Sequence, residues 1–197
     1  MNYTKLSMEE ISAKLEKELT PKRYQHSLGT AEWSKKLAQL HGLNEDKAYI
    51  AGLLHDCAKC YPEEKLRHIV NDILHLDPSE FISSKTLHAP ASAYIAEKEY
   101  GVEDKEILSS IRWHTIGKKN MTTFEKIIFI ADKVETRTRD KDFLGAAREL
   151  LETKDGLDKA VLISYKETIK SLVERDLKIC IDTIEIYNSL EDSINVN

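Results

Sequence analysis

Histidine and aspartate residues recur inside otherwise apolar helical segments of this chain of 197 residues. They are His26, His55, Asp56, His88, His114 and Asp132. Burying a bare imidazole or carboxylate is costly unless the group is paired or binds a metal ion. One such residue alone is more often structural, but six together favour a metal centre. Imidazole and carboxylate ligands suit Fe, Mn, Zn, Co or Ni better than Ca or Mg.

The adjacent pair His55-Asp56 lies at the middle of this predicted metal centre. Neighbouring residues on a helix point about 100° apart, but these two side chains are long enough to converge on one ion. A first ion would have four ligands, His26, His55, Asp56 and Asp132. His88 and His114 could hold a second ion, with Asp56 bridging the two. We therefore expect one or two divalent or trivalent transition-metal ions per chain.

Lys59 follows His55 at i+4, so its ammonium group can reach the same cleft and meet an anionic substrate. Cys57 and Cys60 form a C-x-x-C motif in the same segment. No second pair accompanies them, and we interpret them as helix packing in preference to a redox or zinc role. Three cysteines, an odd number, agree with a reducing compartment.

Composition and periodicity predict an all-α fold. Only 7 Gly and 4 Pro occur, too few turn signals for an all-β protein. Apolar spacing and capping residues predict helices in the following segments: Pro21 to about His41, Asn44 through Lys59 to Tyr61, 63 to 76, the His88–Pro90 segment to about Tyr100, Ile107 to His114 with a stop at Gly117, and a helix opened by the capping box Thr122–Glu125 that runs into Asp132.

The rest of the chain completes a single predicted domain over residues 1–197. Segments 77–85 and 136–145 are expected to be irregular. From about Leu157, apolar pairs at 160/161, 164/165, 168/169 and onward to 180/181 predict one long amphipathic C-terminal helix with at most one break. Residues from about Glu191 are expected to fray.

The charge balance and apolar content exclude several classes of function. The net charge is −5 and the pI is about 5.8, which argue against sequence-independent binding to nucleic acid. The longest apolar stretches are far shorter than the roughly 20 residues of a transmembrane helix. The N-terminus shows no secretory signal. We expect a cytoplasmic protein without nucleic-acid or membrane partners.

Short motifs around the predicted ligands carry a family resemblance. They are R-Y-Q-H-S-L-G at 23–29, L-L-H-D-C-A-K at 53–59, L-H-A-P at 87–90, R-W-H-T-I-G at 112–117, I-A-D at 130–132 and T-x-x-x-Y-N at 183–188. Their order resembles the HD superfamily of metal-dependent phosphohydrolases. It is most similar to the YqeK-type HD hydrolases, the symmetrical diadenosine tetraphosphate hydrolases of bacteria.

The resemblance implies a helical HD-domain bundle, a two-metal centre with iron favoured, and cleavage of diadenosine tetraphosphate into two ADP molecules. Asp56 and Lys59 would take part in catalysis, and His88 and His114 would serve the second ion or the substrate. The substrate-binding set carried over is Arg23, His26, Asp56, Lys59, His88, His114, Asp132, Arg137, Arg139, Thr183, Tyr187 and Asn188. Of these, Thr183, Tyr187 and Asn188 would contact a nucleoside.

One segment departs from the family pattern. After the metal-binding Asp, the family has D-Y-I-E-P-x-R, whereas residues 132–139 read D-K-V-E-T-R-T-R. The Tyr and the Pro are missing, and two displaced arginines follow. Either Arg137 or Arg139 could bind phosphate.

Other readings of the same cluster stay open. The chain could hydrolyse another nucleotide, such as a deoxynucleoside triphosphate, a cyclic nucleotide or a guanosine alarmone. A diiron site could serve oxygen chemistry, although Lys59 and the arginines favour phosphates. The histidines could also bind structural zinc in a non-enzymatic nucleotide-binding regulatory module. The protein is expected to be a monomer or a homodimer.

Overall fold

The computed structural model describes residues 3–76, 86–140 and 144–195, and within them the regular structure is helical with no β-strand. The α-helices are α1 (Met8–Glu18), α2 (Pro21–Leu40), α3 (Glu45–Leu54), α4 (Glu63–Arg67), α5 (His88–Glu99), α6 (Lys105–Trp113), α7 (Thr123–Val134), α8 (Gly145–Leu150), α9 (Leu157–Glu174) and α10 (Ile181–Asn195). The all-α prediction is confirmed. The irregular segment predicted at 77–85 lies outside the described residues.

The helix starts follow from local capping chemistry. Thr20 accepts a hydrogen bond from the backbone of Arg23, and Pro21 occupies the first position of α2. Thr122 and Glu125 form the predicted capping box of α7. Helix α1 was not predicted, although Ser7 caps it with a second capping box.

The core is built around α2, α3, α6 and α7. Helix α2 packs against α3 and α7, and α6 packs against α3, α5 and α7. Their shared interior is filled by fully buried aliphatic side chains, among them Leu37, Leu53, Leu54, Ile107, Ile111, Ile127 and Ile130. Helix α9 packs against α7 and so joins this core, and it also packs against α8 and α10. None of the helices described is both long and apolar enough to cross a membrane.

The segment after α3 differs from the prediction. Helix α3 ends at Leu54, and residues 55–60 form turns with i→i+3 backbone bonds, such as Lys59 N to Asp56 O at 2.9 Å. The reason is chemical, because His55 Nδ1 lies 2.6 Å from the Gly52 carbonyl oxygen. In a continuing α-helix that oxygen would accept from the backbone of Asp56. The predicted extension of this helix through Lys59 is wrong.

The C-terminal part contains two helices where the sequence predicts one with at most one break. The break falls between Glu174 and Ile181, where Asp176 has a positive φ of 52°. Helix α10 then continues to Asn195, so the fraying expected from Glu191 is wrong within the described residues. Helix α4 continues into a π-helical turn, His68–Ile73, inside the predicted 63–76 helix.

Candidate metal centre

The six predicted ligands meet at one place in the fold, although they come from five separate segments. His26 lies on α2, His55 caps the C-terminus of α3, Asp56 follows it in the turn, His88 begins α5, His114 caps the C-terminus of α6, and Asp132 lies on the last turns of α7. The four histidines and Asp56 are almost completely buried. The packing of α2, α3, α5, α6 and α7 therefore assembles this cluster in the core.

The first half of the cluster contains His26, His55, Asp56 and Asp132. His26 Nε2 lies 2.9 Å from Asp132 Oδ1 and 3.3 Å from His55 Nε2. His55 Nε2 is 3.7 Å from both Asp56 Oδ2 and Asp132 Oδ1. Two atoms bound about 2.1 Å from one ion lie roughly 3.0 to 3.4 Å apart at the usual angles. The spacing of these atoms is close to what one transition-metal ion requires.

The second half contains Asp56, His88 and His114. His114 donates its Nδ1 hydrogen to the Ile111 carbonyl, at 2.7 Å, which leaves a lone pair on Nε2. Burial lowers the pKa of His114 to about 4, so this imidazole is neutral at pH 7. Its Nε2 faces His88 Nε2 at 3.2 Å and Asp56 Oδ1 at 3.5 Å. The ligand atoms of Asp56, His88 and His114 therefore lie close enough together to hold one cation.

Asp56 belongs to both halves. His26, His55 and Asp56 form one group whose ligand atoms all lie within 4.8 Å of one another, and Asp56, His88 and His114 form another. Oδ1 of Asp56 is buried and accepts no hydrogen bond from the residues described, although His88 Nε2 lies 3.1 Å away. We read this close approach without hydrogen-bond geometry as two ligands facing a common ion. Burial disfavours the charge of Asp56, but His55, His114 and His88 outweigh burial and hold its pKa well below the usual value.

Glu135 is a site residue that the sequence reasoning missed. It is fully buried, and its Oε1 lies 3.0 Å from His26 Nδ1. Backbone N–H groups of Arg137 and Thr138 donate to its other oxygen. Burial disfavours the charge, but these hydrogen bonds lower the pKa of Glu135 to about 2. The available signal was its position three residues after Asp132, at the C-cap of α7.

Glu135 fixes the ring of His26. Burial lowers the pKa of His26, but hydrogen bonds with Asp132 and Glu135 outweigh burial and raise it to about 9. A carboxylate that accepts from Nδ1 directs Nε2 towards a metal, as outer partners of ligating histidines commonly do. Gly29 makes this possible, because a Cβ there would lie 2.5 Å from Glu135 Oε2. The glycine of the 23–29 motif therefore leaves room for this carboxylate.

Three of the predicted cationic side chains border the cluster. Arg23 Nη1 lies 3.2 Å from Asp56 Oδ2, and Lys59 Nζ lies 2.9 Å from His88 Nε2. Arg139 Nη2 lies 3.4 Å from Asp132 Oδ1. Burial lowers the pKa of Lys59.

The other predicted residues lie elsewhere. Arg137 binds Glu32 and Gln25 on the surface, through Nε to Glu32 Oε2 at 2.9 Å and Nη1 to Gln25 Oε1 at 2.7 Å. Thr183 lines a pocket of about 370 Å³ between α6 and α10 that no member of the cluster lines. Tyr187 donates to Glu191, and Asn188 is exposed.

The C-x-x-C pair shows no shared site. Cys57 is buried, with Sγ 3.4 Å from the Ser92 carbonyl oxygen, whereas Cys60 is exposed. Burial raises the pKa of the Cys57 thiol, which opposes thiolate chemistry. This arrangement fits the packing interpretation, although the pair lies in turns and not in a helix as predicted.

Comparison with known sequences gives the same family for this region. The HD domain family model matches residues 23–137. The chain is 37% identical to a protein of Halalkalibacterium halodurans named "Bis(5'-nucleosyl)-tetraphosphatase, symmetrical", over 87% of this chain and 90% of that protein. A protein of the same name from Staphylococcus aureus is 36% identical over 94% of this chain and 97% of its own length.

Comparison with solved structures agrees. The fold matches the crystal structure of a predicted HD superfamily hydrolase involved in NAD metabolism from Clostridium acetobutylicum, with a TM-score of 0.88 and 35% identity. The match covers 95% of this chain and 98% of that chain.

Glu135→Gln should lower metal affinity by about 10- to 100-fold, the usual cost of losing an outer partner of a ligating histidine. The substituted amide carries no charge, and its NH₂ group would face the N–H donors of His26, Arg137 or Thr138 that now bind the carboxylate. Competition with a chelator of known affinity measures the change. Gly29→Ala should act in the same direction, because its methyl group displaces the Glu135 carboxylate.

Matched controls separate this effect from loss of stability. Glu125 is a second buried glutamate, on α7 and held by Ser109 and Lys118, and Glu125→Gln should leave metal affinity unchanged. Gly145→Ala adds a methyl group where nothing lies within 4 Å. Wild-type metal affinity in Glu135→Gln would rule out the positioning role of Glu135.

Proposed function

The chain belongs to the HD domain family, and we propose that it is a metal-dependent hydrolase that cleaves diadenosine tetraphosphate symmetrically into two ADP molecules. Relatives at 36–37% identity over most of the chain bear the name of that activity. The observation that carries the proposal is the pair of ligand groups that share Asp56. Arg23 and Lys59 lie beside Asp56, and Arg139 lies beside Asp132.

The ligand set supports a transition metal, and we infer iron. His26, His55, Asp56 and Asp132 would hold one ion, and Asp56, His88 and His114 a second. Each of the two groups that share Asp56 contains two histidines and one carboxylate, a set typical of non-haem iron, and Asp132 adds a second carboxylate to the first group. Metal ions bound there would supply Lewis-acid chemistry and a water-derived nucleophile near neutral pH.

The chain's own residues would bind and orient the polyphosphate. Arg23 and Lys59 approach Asp56, and Arg139 approaches Asp132, so the three cations surround the cluster. They can neutralise the phosphate oxygens and hold the β-phosphorus in line for attack. The leaving group is ADP, a weak base, and no strong general acid is needed. Of the two displaced arginines, we assign the phosphate role to Arg139, because Arg137 is held by Glu32 and Gln25.

Asp132→Ala should abolish hydrolysis and lower metal content while helical circular dichroism stays largely intact. Its carboxylate contacts His26 and Arg139 at the cluster, and the side chain is only partly buried, so its loss should leave the helices folded. Some loss of thermal stability is expected, since a bound ion stabilises the native state by mass action. Asp72→Ala, at an exposed aspartate paired with His68, is the control. A variant with full metal and full activity would disprove the assignment.

Hydrolysis of diadenosine tetraphosphate in ¹⁸O-water should place one heavy oxygen on one of two ADP molecules. Attack at a central phosphorus has this outcome, and mass spectrometry of the separated products measures it. Recovery of ATP and AMP would contradict symmetrical cleavage. A panel of deoxynucleoside triphosphates, cyclic nucleotides and guanosine alarmones tests the rival substrates in the same assay, and faster turnover of any of these would overturn the assigned substrate.

Lys59→Met should reduce kcat by about 10², the scale seen when one preorganised charge-stabilising donor is removed. The change in KM should be smaller. Lys36→Met, which removes a surface lysine paired with Glu152, is the control and should leave kcat unaltered. If Lys59→Met turned over at the wild-type rate, Lys59 would have no catalytic role.

A further inference from the structure

A pocket between α7 and α9 borders the cluster on the side of Asp132. This α7–α9 pocket has a volume of about 330 Å³, and its lining includes Asp132, Lys133, Arg139, Leu144, Ser164 and Leu172. Small-molecule sites in proteins are typically about 300 to 1,000 Å³. Because Asp132 belongs to both the cluster and the pocket wall, a ligand in the pocket can extend directly to the metal centre.

Two polar groups of the pocket lining have no partner among the described residues. Ser164 is 2% exposed, and its Oγ forms no hydrogen bond. Nε of Arg139 is buried and also without a partner, although Nη2 of the same side chain lies 3.4 Å from Asp132 Oδ1. Buried polar groups are nearly always hydrogen-bonded, and each exception calls for an explanation. Both of these groups can donate, so the pocket suits a ligand rich in acceptor oxygens.

The pocket lining combines charged, hydroxyl and apolar side chains. The cations Lys133, Arg139 and Arg175 outnumber Asp132 and Glu167, the carboxylates of the lining, whereas Leu144 and Leu172 supply apolar surface from α8's N-cap and from α9. Ser164 adds a hydroxyl group to the α9 side. This combination fits a nucleoside diphosphate, with its phosphates at the cations, its ribose at the hydroxyl group and its base against leucine.

We propose that the α7–α9 pocket binds one of the two nucleoside diphosphate halves of the substrate. The proposal rests on the proposed function, in which a symmetrical cut requires a nucleoside diphosphate on each side of the reacting phosphorus. Arg139 and Ser164 bind the half in this pocket. Arg23 and Lys59, which approach Asp56, bind phosphates of the other half.

Titration of the metal-loaded protein with ADP tests the pocket separately from catalysis. By calorimetry, the wild-type chain should bind two ADP molecules. Ser164→Ala and Arg139→Met should each weaken one of these sites by at least about tenfold, the loss expected for one removed hydrogen-bond donor, and leave the other site unchanged. KM for diadenosine tetraphosphate should rise in parallel.

Two control variants make the same substitutions, Ser→Ala and Arg→Met, at positions outside the pocket lining. Ser34 is also buried with an unpartnered Oγ, on α2 and outside this pocket lining, and Ser34→Ala should keep both ADP sites. Arg67→Met removes a surface arginine paired with Glu63 and should do the same.

The possible outcomes separate the pocket from the activity. One ADP bound by the wild-type chain, or two bound equally well by wild type and by Ser164→Ala and Arg139→Met, would overturn the proposal. Two ADP sites with the predicted losses, in a protein that does not cleave the dinucleotide, would support the pocket and contradict the proposed function.

Discussion

The burial of the Asp56 carboxylate among four histidines, with the partly buried Asp132 beside them, is the constraint on which the metal centre and the helix ends around it depend. Isolated carboxylates in a core are unstable, so the fold must surround them with compensating groups. Here the compensation comes from imidazoles and from Arg23, Lys59 and Arg139 at the edge. A metal ion bound at the centre of the bundle, where α2, α3, α6 and α7 meet, would attract both the carboxylates and the imidazoles.

The same constraint explains how the helices end. α3 and α6 each end at a histidine whose Nδ1 contacts a carbonyl oxygen three residues earlier, at 2.6 Å from Gly52 and 2.7 Å from Ile111. This contact uses an acceptor that the next helical turn would need, and it orients Nε2 towards the cluster. The same side-chain contact therefore ends the helix and orients the metal-binding nitrogen at His55 and at His114.

The segment after Asp132 connects the metal centre to the proposed substrate pocket. Glu135 turns back to His26, while Arg139 returns to Asp132 and lines the α7–α9 pocket. The chain lacks the Tyr and Pro of the family pattern here, yet Gly29 still leaves space for Glu135. This local departure in sequence does not prevent the contact between Glu135 and His26, because that contact depends on the approach of α2 to α7.

The sequence by itself determined the helical class, the capped starts of α2 and α7, and the residue types able to bind a metal. These follow from local rules, since periodicity and capping act within a few residues. Tertiary structure alone decided that Glu135 supports His26, that Arg139 borders the cluster and Arg137 does not, and that Thr183 lies in a different pocket. His26 and Glu135 are 109 positions apart. Their contact depends on how α2 and α7 pack, which no spacing within either helix specifies.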